Sequence, residues 1–215
     1  MPCVTRPSRN IDRLLLAAGR ELYPATGTAG LSVRKVVARA NVNLGMFHYH
    51  FRTKDAFVRQ VLQAAYEEMF ANLELAASAK APRTALRAAL NVLGRFGRDN
   101  APLLRRLVAE ALAGEALALE FLRNNMPRHI AVILSLIAAG QRQRVLRRMA
   151  PQQALAFLAG SVAAPIVVVG AIVERALVPG VTSDLAALVA SDDAIAERVD
   201  CALAGIASKP RSSRR

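Results

Sequence analysis

The chain has 215 residues, is 53% hydrophobic without a single Trp, and carries a formal charge of +13. That is apolar material for one large domain or two small ones, and its Ala- and Leu-rich, aromatic-poor composition favours helix over sheet. Its cysteines, Cys3 and Cys201, stand at opposite ends, which suggests no disulfide framework and fits a reducing cytoplasm; the opening MPCVTRPSRN lacks the apolar run of a signal peptide.

The charge is unevenly spread. Residues 1–60 hold ten Lys/Arg against three Asp/Glu, and the tail SKPRSSRR (208–215) adds four cations and no acid, while the stretch between is nearly neutral. A polyanionic partner for the N-terminal section is the economical reading. In RNIDRLLLAAGRELYPATG, Ile11, Leu14, Leu15, Ala18 and Leu22 share one helical face, and Pro24 with Gly27 predicts the end of that helix. Ser32 can cap a second helix, with Val33, Val36, Val37 and Ala40 turned inward. Asn41-Val42-Asn43 predicts a tight turn, because Asn tolerates the left-handed conformation. A short third helix, about Leu44 to Phe51, and a long fourth, capped by Thr53 and striped by Val58, Val61, Leu62, Ala65 and Met69, follow.

Beyond Ala79 the pattern is helix after helix. Pro82, Pro102 and Pro151 suit first-turn positions, where a missing N–H costs little. Pro127 predicts a break between two helices, and Pro179-Gly180 the end of the longest apolar one. A last helix over 192–207 aligns Ile195, Val199, Leu203 and Ile206. The expectation is an all-α chain of about nine helices, with no strand and no internal repeat.

Two short helices joined by a three-residue turn and backed by a preceding helix read as a helix-turn-helix. In NLGMFHYHF (43–51), Phe47 and Phe51 lie four apart and face the small core. Asn43, Leu44, Met46, His48 and Tyr49 then remain for a partner surface, and Gly45 allows close backbone approach. Metal binding by His48 and His50 fares badly: two apart on a helix, they point in different directions, and no Cys or acid stands near at ligand spacing.

The segment LSVRKVVARANVNLGMFHYHFRTKDAF (31–57) resembles the DNA-binding segment of TetR/AcrR-type transcriptional regulators. Ser32, Val33, Arg34, Val42, Gly45, Phe47, His50, Phe51 and Lys54 match that family's pattern; Asn41 stands where glycine is common, Leu31 replaces a usual hydroxyl residue, and His48 a usual tyrosine. The resemblance implies a three-helix DNA-binding domain over 1–60, an effector-binding and dimerisation domain over 61–207 and a basic tail over 208–215. It implies that Arg34 and Lys35 reach DNA from the second helix, that Asn43, Leu44, Gly45 and Met46 meet base edges, and that His48, Tyr49, His50 and Lys54 hold phosphates of a double-stranded operator. It further implies a cytoplasmic homodimeric repressor, without cofactor or metal, released when a small-molecule effector shifts the packing of the body and moves the helix that starts at Thr53.

The body itself is less specific. ALAFLAGSVAAPIVVVGAIV (154–173) is twenty residues without a charge, long enough to span a bilayer. Pro165, the small residues of GSVAA and the missing aromatic belt favour instead a helix buried on two sides, which makes 152–177 and 192–207 the expected dimer contact. Glu110, Asn124, Asn125, His129 and Ser135 are polar groups amid apolar helices; an exposed or hydrogen-bonded role is favoured for each over a place in an effector pocket. The arginines of QRQRVLRRM (141–149) read as a solvated helix end. The alternatives are a nonspecific DNA-binding protein or a membrane-associated helical one. An enzyme finds no support, since no phosphate loop, nucleophile elbow, metal set or carboxylate pair is present.

Overall fold

The computed structural model describes residues 10–174, 178 and 183–208. Among them are ten helices: α1 (Asn10–Gly30), α2 (Val33–Ala40), α3 (Leu44–Phe51), α4 (Lys54–Ala77), α5 (Pro82–Asp99), α6 (Ala101–Leu112), α7 (Ala116–Arg142), α8 (Pro151–Glu174), α9 (Ser183–Ala190) and α10 (Asp192–Gly205). The only β-type pairing among them is an isolated antiparallel bridge between Leu146 and Ala207. The chain divides into two compact units. One takes α1 to α3, α4 as far as Glu68, and Pro102–Asn124; the other takes Met69–Ala101 and the chain from Asn125 onward.

In the first unit the aromatic residues of the short helices make the core. Phe47, Phe51 and Phe57 pack ring against ring, with centroids 4.9 to 5.6 Å apart in tilted and edge-on poses. Leu15, Tyr23, Val36, Val58, Val61 and Leu62 close around them. The α4 stripe expected from spacing is buried throughout. Thr53 caps α4, its Oγ1 accepting from the Ala56 N–H at 3.1 Å. Asn41 adopts the left-handed conformation (φ 54, ψ 46) that ends α2.

Three local expectations change. Leu14 is 45% exposed, so the inward line of α1 runs through Leu15, Ala18 and Tyr23 rather than Leu14. Pro24 does not end α1, whose first helical run passes through it; that run breaks at Gly27 (φ 64, ψ −171), as expected of the glycine, and a further turn reaches Gly30. A proline deletes one helical hydrogen bond, and packing on both sides of it can hold the remaining turns. Ser32 occupies the N-cap of α2, but its hydroxyl makes no capping bond.

The second unit is organised by small and aliphatic side chains. Ala85, Leu86, Ala89 and Leu90 of α5, Leu158, Val162 and Ile166 of α8, and Ile195, Val199 and Leu203 of α10 are all buried. At Gly94 an added Cβ would lie 2.6 Å from Ile195 Cγ2, so α5 and α10 approach closely there. Around this seam Arg87 pairs with Asp200 at 2.5 Å and Arg98 with Asp192 at 2.6 Å. These guanidiniums, by hydrogen bond first and charge second, hold both carboxyls below the usual range. On solvated groups such pairs add little to stability.

Pro82 and Pro151 open their helices and Pro102 is the second residue of its own. Pro127, by contrast, lies inside α7 and does not divide it. Leu117 and Ala118 before it and Ile133, Leu136 and Ile137 after it are buried, which offsets the bond the proline removes. The described helices number ten where about nine were expected, α9 among them. Pro179-Gly180 and the tail 209–215 lie outside the described residues, as do 175–177 of the expected dimer contact.

Candidate nucleic-acid interface

The interface is built on α2, the Asn41 turn and α3. The two buried rings, Phe47 at 0% and Phe51 at 3% exposure, anchor α3, and its opposite flank is left to solvent. Leu44 (42%) and Tyr49 (66%) are exposed although large and apolar or aromatic, and His48 and Gly45 are exposed beside them. Met46 and His50 are half-buried. Arg34 and Lys35 are exposed in the first turn of α2. A small helix that holds down two rings and offers polar, thin and methyl-bearing groups on its other side can enter a groove of duplex DNA.

The hydrogen bonds refine what each residue can offer. Asn43 is the N-cap of α3, its Oδ1 accepting from the Met46 N–H at 3.0 Å. Its oxygen is thus engaged, and the group left for a base edge is the NH2 donor. At Gly45 an added Cβ would meet only that Asn43 oxygen, at 3.3 Å, so the outer side of the backbone is open for close approach. The His48 ring stands edge-on to Phe47 and places Nδ1 3.4 Å from the Arg52 carbonyl oxygen. His50 turns a buried Nε2 inward, where it meets no partner. Lys54 Nζ donates to the Ala29 carbonyl at 3.2 Å, a bond that ties the start of α4 to the end of α1.

Several cations of this unit are paired with carboxylates. Arg39 pairs with Glu21, Arg20 with Glu68 and Arg59 with Glu120, at 2.5, 3.3 and 2.9 Å. Among the described residues no carboxylate pairs with Arg34, Lys35 or Arg52. Arg52 is a cation the sequence reading passed over. It is exposed at the C-cap of α3 with φ 60, a conformation uncommon outside glycine. Its signal was available in the charge count of the first 60 residues, but not its position.

Leu31, which stands where a hydroxyl residue is usual in the family pattern, is 3% exposed and belongs to the core. Among the described residues no three His, Cys, Asp or Glu side chains converge as a metal site. One helix, over Pro151–Val169, is long and apolar enough to cross a membrane by length and composition.

Residues 15–61 match the family model described as bacterial regulatory proteins, tetR family. No protein with a curated description matches the sequence. Among solved structures, a Clostridium perfringens protein described as a candidate fatty acid metabolism regulator is similar over 91% of this chain and 100% of its own, at 18% identity and a TM-score of 0.70. PfmR, a TetR family transcriptional regulator from Thermus thermophilus, is similar over 97% of this chain and 100% of its own, at 17% identity and a TM-score of 0.64. HlyIIR, a hemolysin II transcriptional regulator, is similar over 93% and 98%, at 17% identity and a TM-score of 0.61. The chain therefore carries the fold of TetR-family transcriptional regulators, and the family model falls on its front helices, from α1 to the start of α4.

Proposed function

We propose that this protein is a sequence-specific transcriptional regulator that binds a palindromic operator as a homodimer and acts as a repressor, released when a small molecule occupies the C-terminal helices. The observation that carries the reading is the set of unpaired cations Arg34, Lys35 and Arg52 bordering a helix whose two buried rings leave Leu44, Gly45 and Tyr49 outward. Cations that other carboxylates neutralise contribute little to a polyanion contact; unpaired ones release counterions from the duplex. In this reading Arg34 meets a guanine edge, and Leu44 and Met46 meet thymine methyls. Asn43 donates to a base acceptor through its NH2, and Lys35, His48, Tyr49, His50, Arg52 and Lys54 hold the backbone. His50 would meet a phosphate through Nδ1, because Nε2 is turned inward. The chain performs no catalysis, needs no cofactor and works in the cytoplasm.

Dimerisation follows from the reach of one reading helix, which spans only a few base pairs; two held about 34–36 Å apart read both halves of a palindrome. Its support is the outer face of α8. Ala154, Leu158, Val162 and Ile166 are buried, while Phe157, Gly160, Ala164 and Val168 face solvent without a charge. On α10 the four aligned aliphatics lie in the protomer's own core, so its contribution to the contact falls to Cys201, Ala204 and Gly205. An apolar strip of small residues suits a second helix pair better than water. Incubating the purified protein with a pool of random duplexes and sequencing those retained tests the whole reading. Two inverted half-sites are expected; retention of asymmetric or unrelated sequences would refute it.

A further inference from the structure

The polar group expected at Glu110 of α6 is not placed in the body. It belongs to the first unit, where its side chain is only 13% exposed. Its carboxylate accepts three hydrogen bonds: from the Tyr23 hydroxyl at 2.6 Å, from the Thr28 N–H at 2.8 Å and from the Thr28 hydroxyl at 2.9 Å. Burial first, and then the bond to Glu110, hold the Tyr23 hydroxyl far above the usual phenol range, so it remains a donor. One turn earlier on α6, Arg106 donates from Nη2 to the Ala25 carbonyl at 3.1 Å. From the other side Lys54 grips the Ala29 carbonyl.

These contacts converge on one joint. Gly27 adopts φ 64 and ψ −171, a region that only glycine enters readily, and an added Cβ there would lie on Glu110 Oε1. Four residues on, Leu31 is bonded back to the Gly27 carbonyl; Ser32 then caps α2, and Arg34 follows in its first turn. A glycine joint has little stiffness of its own. The direction in which α2 leaves α1 is held by the buried Leu31, Val36 and Val37 together with the side chains that grip residues 25, 28 and 29.

We propose that Glu110 is a positioning residue for DNA reading: by gripping Tyr23 and Thr28 from α6, it sets the pose of the α1–α2 junction and so of Arg34. The proposal rests on the DNA-binding reading above. A carboxylate supplied with three donors from its own unit is committed there, which removes Glu110 from the polar groups available to an effector. It also makes α6 part of the reading unit, so that any displacement of α6 reaches Arg34 without passing through the buried rings of α3.

The test uses the full-length protein, a duplex selected by the wild type, and a scrambled duplex of the same composition. Glu110→Gln replaces one acceptor oxygen by a donor; Tyr23→Phe removes one donor and leaves the ring in the core. Each is expected to weaken binding to the selected duplex about tenfold, the scale of one charge-assisted hydrogen bond, and to leave scrambled binding unchanged. In the Glu110→Gln background, Arg34→Ala should cost far less selectivity than it does in the wild type, because a misplaced guanidinium has little left to lose. A merely structural role predicts lower melting temperatures with an unchanged selected-to-scrambled ratio and independent costs, and that result overturns the proposal. If Glu110→Gln does not fold, Tyr23→Phe carries the same comparison alone. A wild-type protein that prefers no duplex refutes the DNA-binding reading itself, and does so before any variant is made.

Discussion

Within the first unit, α1 and α6 are joined by a buried carboxylate with three donors, and Arg34 and Lys35 on α2 and Arg52 at the end of α3 pair with no carboxylate among the described residues. Within the second, α5, α8 and α10 meet through aliphatic side chains, and Arg87, Arg95 and Arg98 of α5 are paired with aspartates of α10 at the surface. The contrast concerns what each arrangement constrains. Aliphatic packing is nondirectional, so it holds helices together while tolerating small shifts in their pose. A bonded carboxylate fixes distance and direction, which a reading surface needs if a guanidinium is to meet a base edge.

The largest expected way to break this contrast is Phe47→Ala. Removing a fully buried ring from the cluster with Phe51 and Phe57 should destabilise the first unit by about 3–5 kcal/mol. Chemical denaturation followed by circular dichroism would show it as an early transition, with DNA binding lost alongside. Arg34→Ala should leave the melting curve in place and cost about 1–3 kcal/mol of binding to the selected duplex, with specificity relaxed at one base pair of each half-site. Lys54→Ala sharpens the division between phosphate contact and joint. Loss of a phosphate contact lowers the slope of log affinity against log salt by roughly one unit, whereas loss of the Ala29 bond alone weakens binding at an unchanged slope.

The smallest effect belongs to the body. Burial depresses the pKa of His129 below its ordinary 6.5, so the folded chain favours the neutral ring. Between the two values the unfolded chain binds more protons, hence stability is complete above the ordinary value and declines as pH falls through it. Melting temperatures measured between about pH 7.5 and 5.5 should drop, and His129→Leu should flatten that decline.

Local signals made much of the fold legible. Phe47 and Phe51 one turn apart, Asn41 at a turn, Thr53 before an apolar stripe, and prolines in first turns all report on neighbours within a few residues, and all took the places their spacing implied. Pro127 and Pro24 misled because the cost of a proline is local while its compensation is not: buried residues on either side keep α7 and α1 helical. The phase of α1 slipped by one residue at Leu14, where two adjacent leucines give periodicity nothing to choose between. The latch was out of reach for a different reason. Glu110 lies 82 residues from Thr28 and 87 from Tyr23, and no spacing along the chain couples them. The cations of α2 were legible; that Arg39 is paired with Glu21 while Arg34 and Lys35 meet no carboxylate among the described residues was not.

The most direct measurement is fluorescence anisotropy of a labelled selected duplex titrated with full-length protein at modest ionic strength, against unlabelled selected and scrambled competitors. Displacement by the selected competitor at concentrations at least about a thousandfold below those needed for the scrambled one is the expected result. Equal displacement by both would contradict sequence-specific reading by α2 and α3.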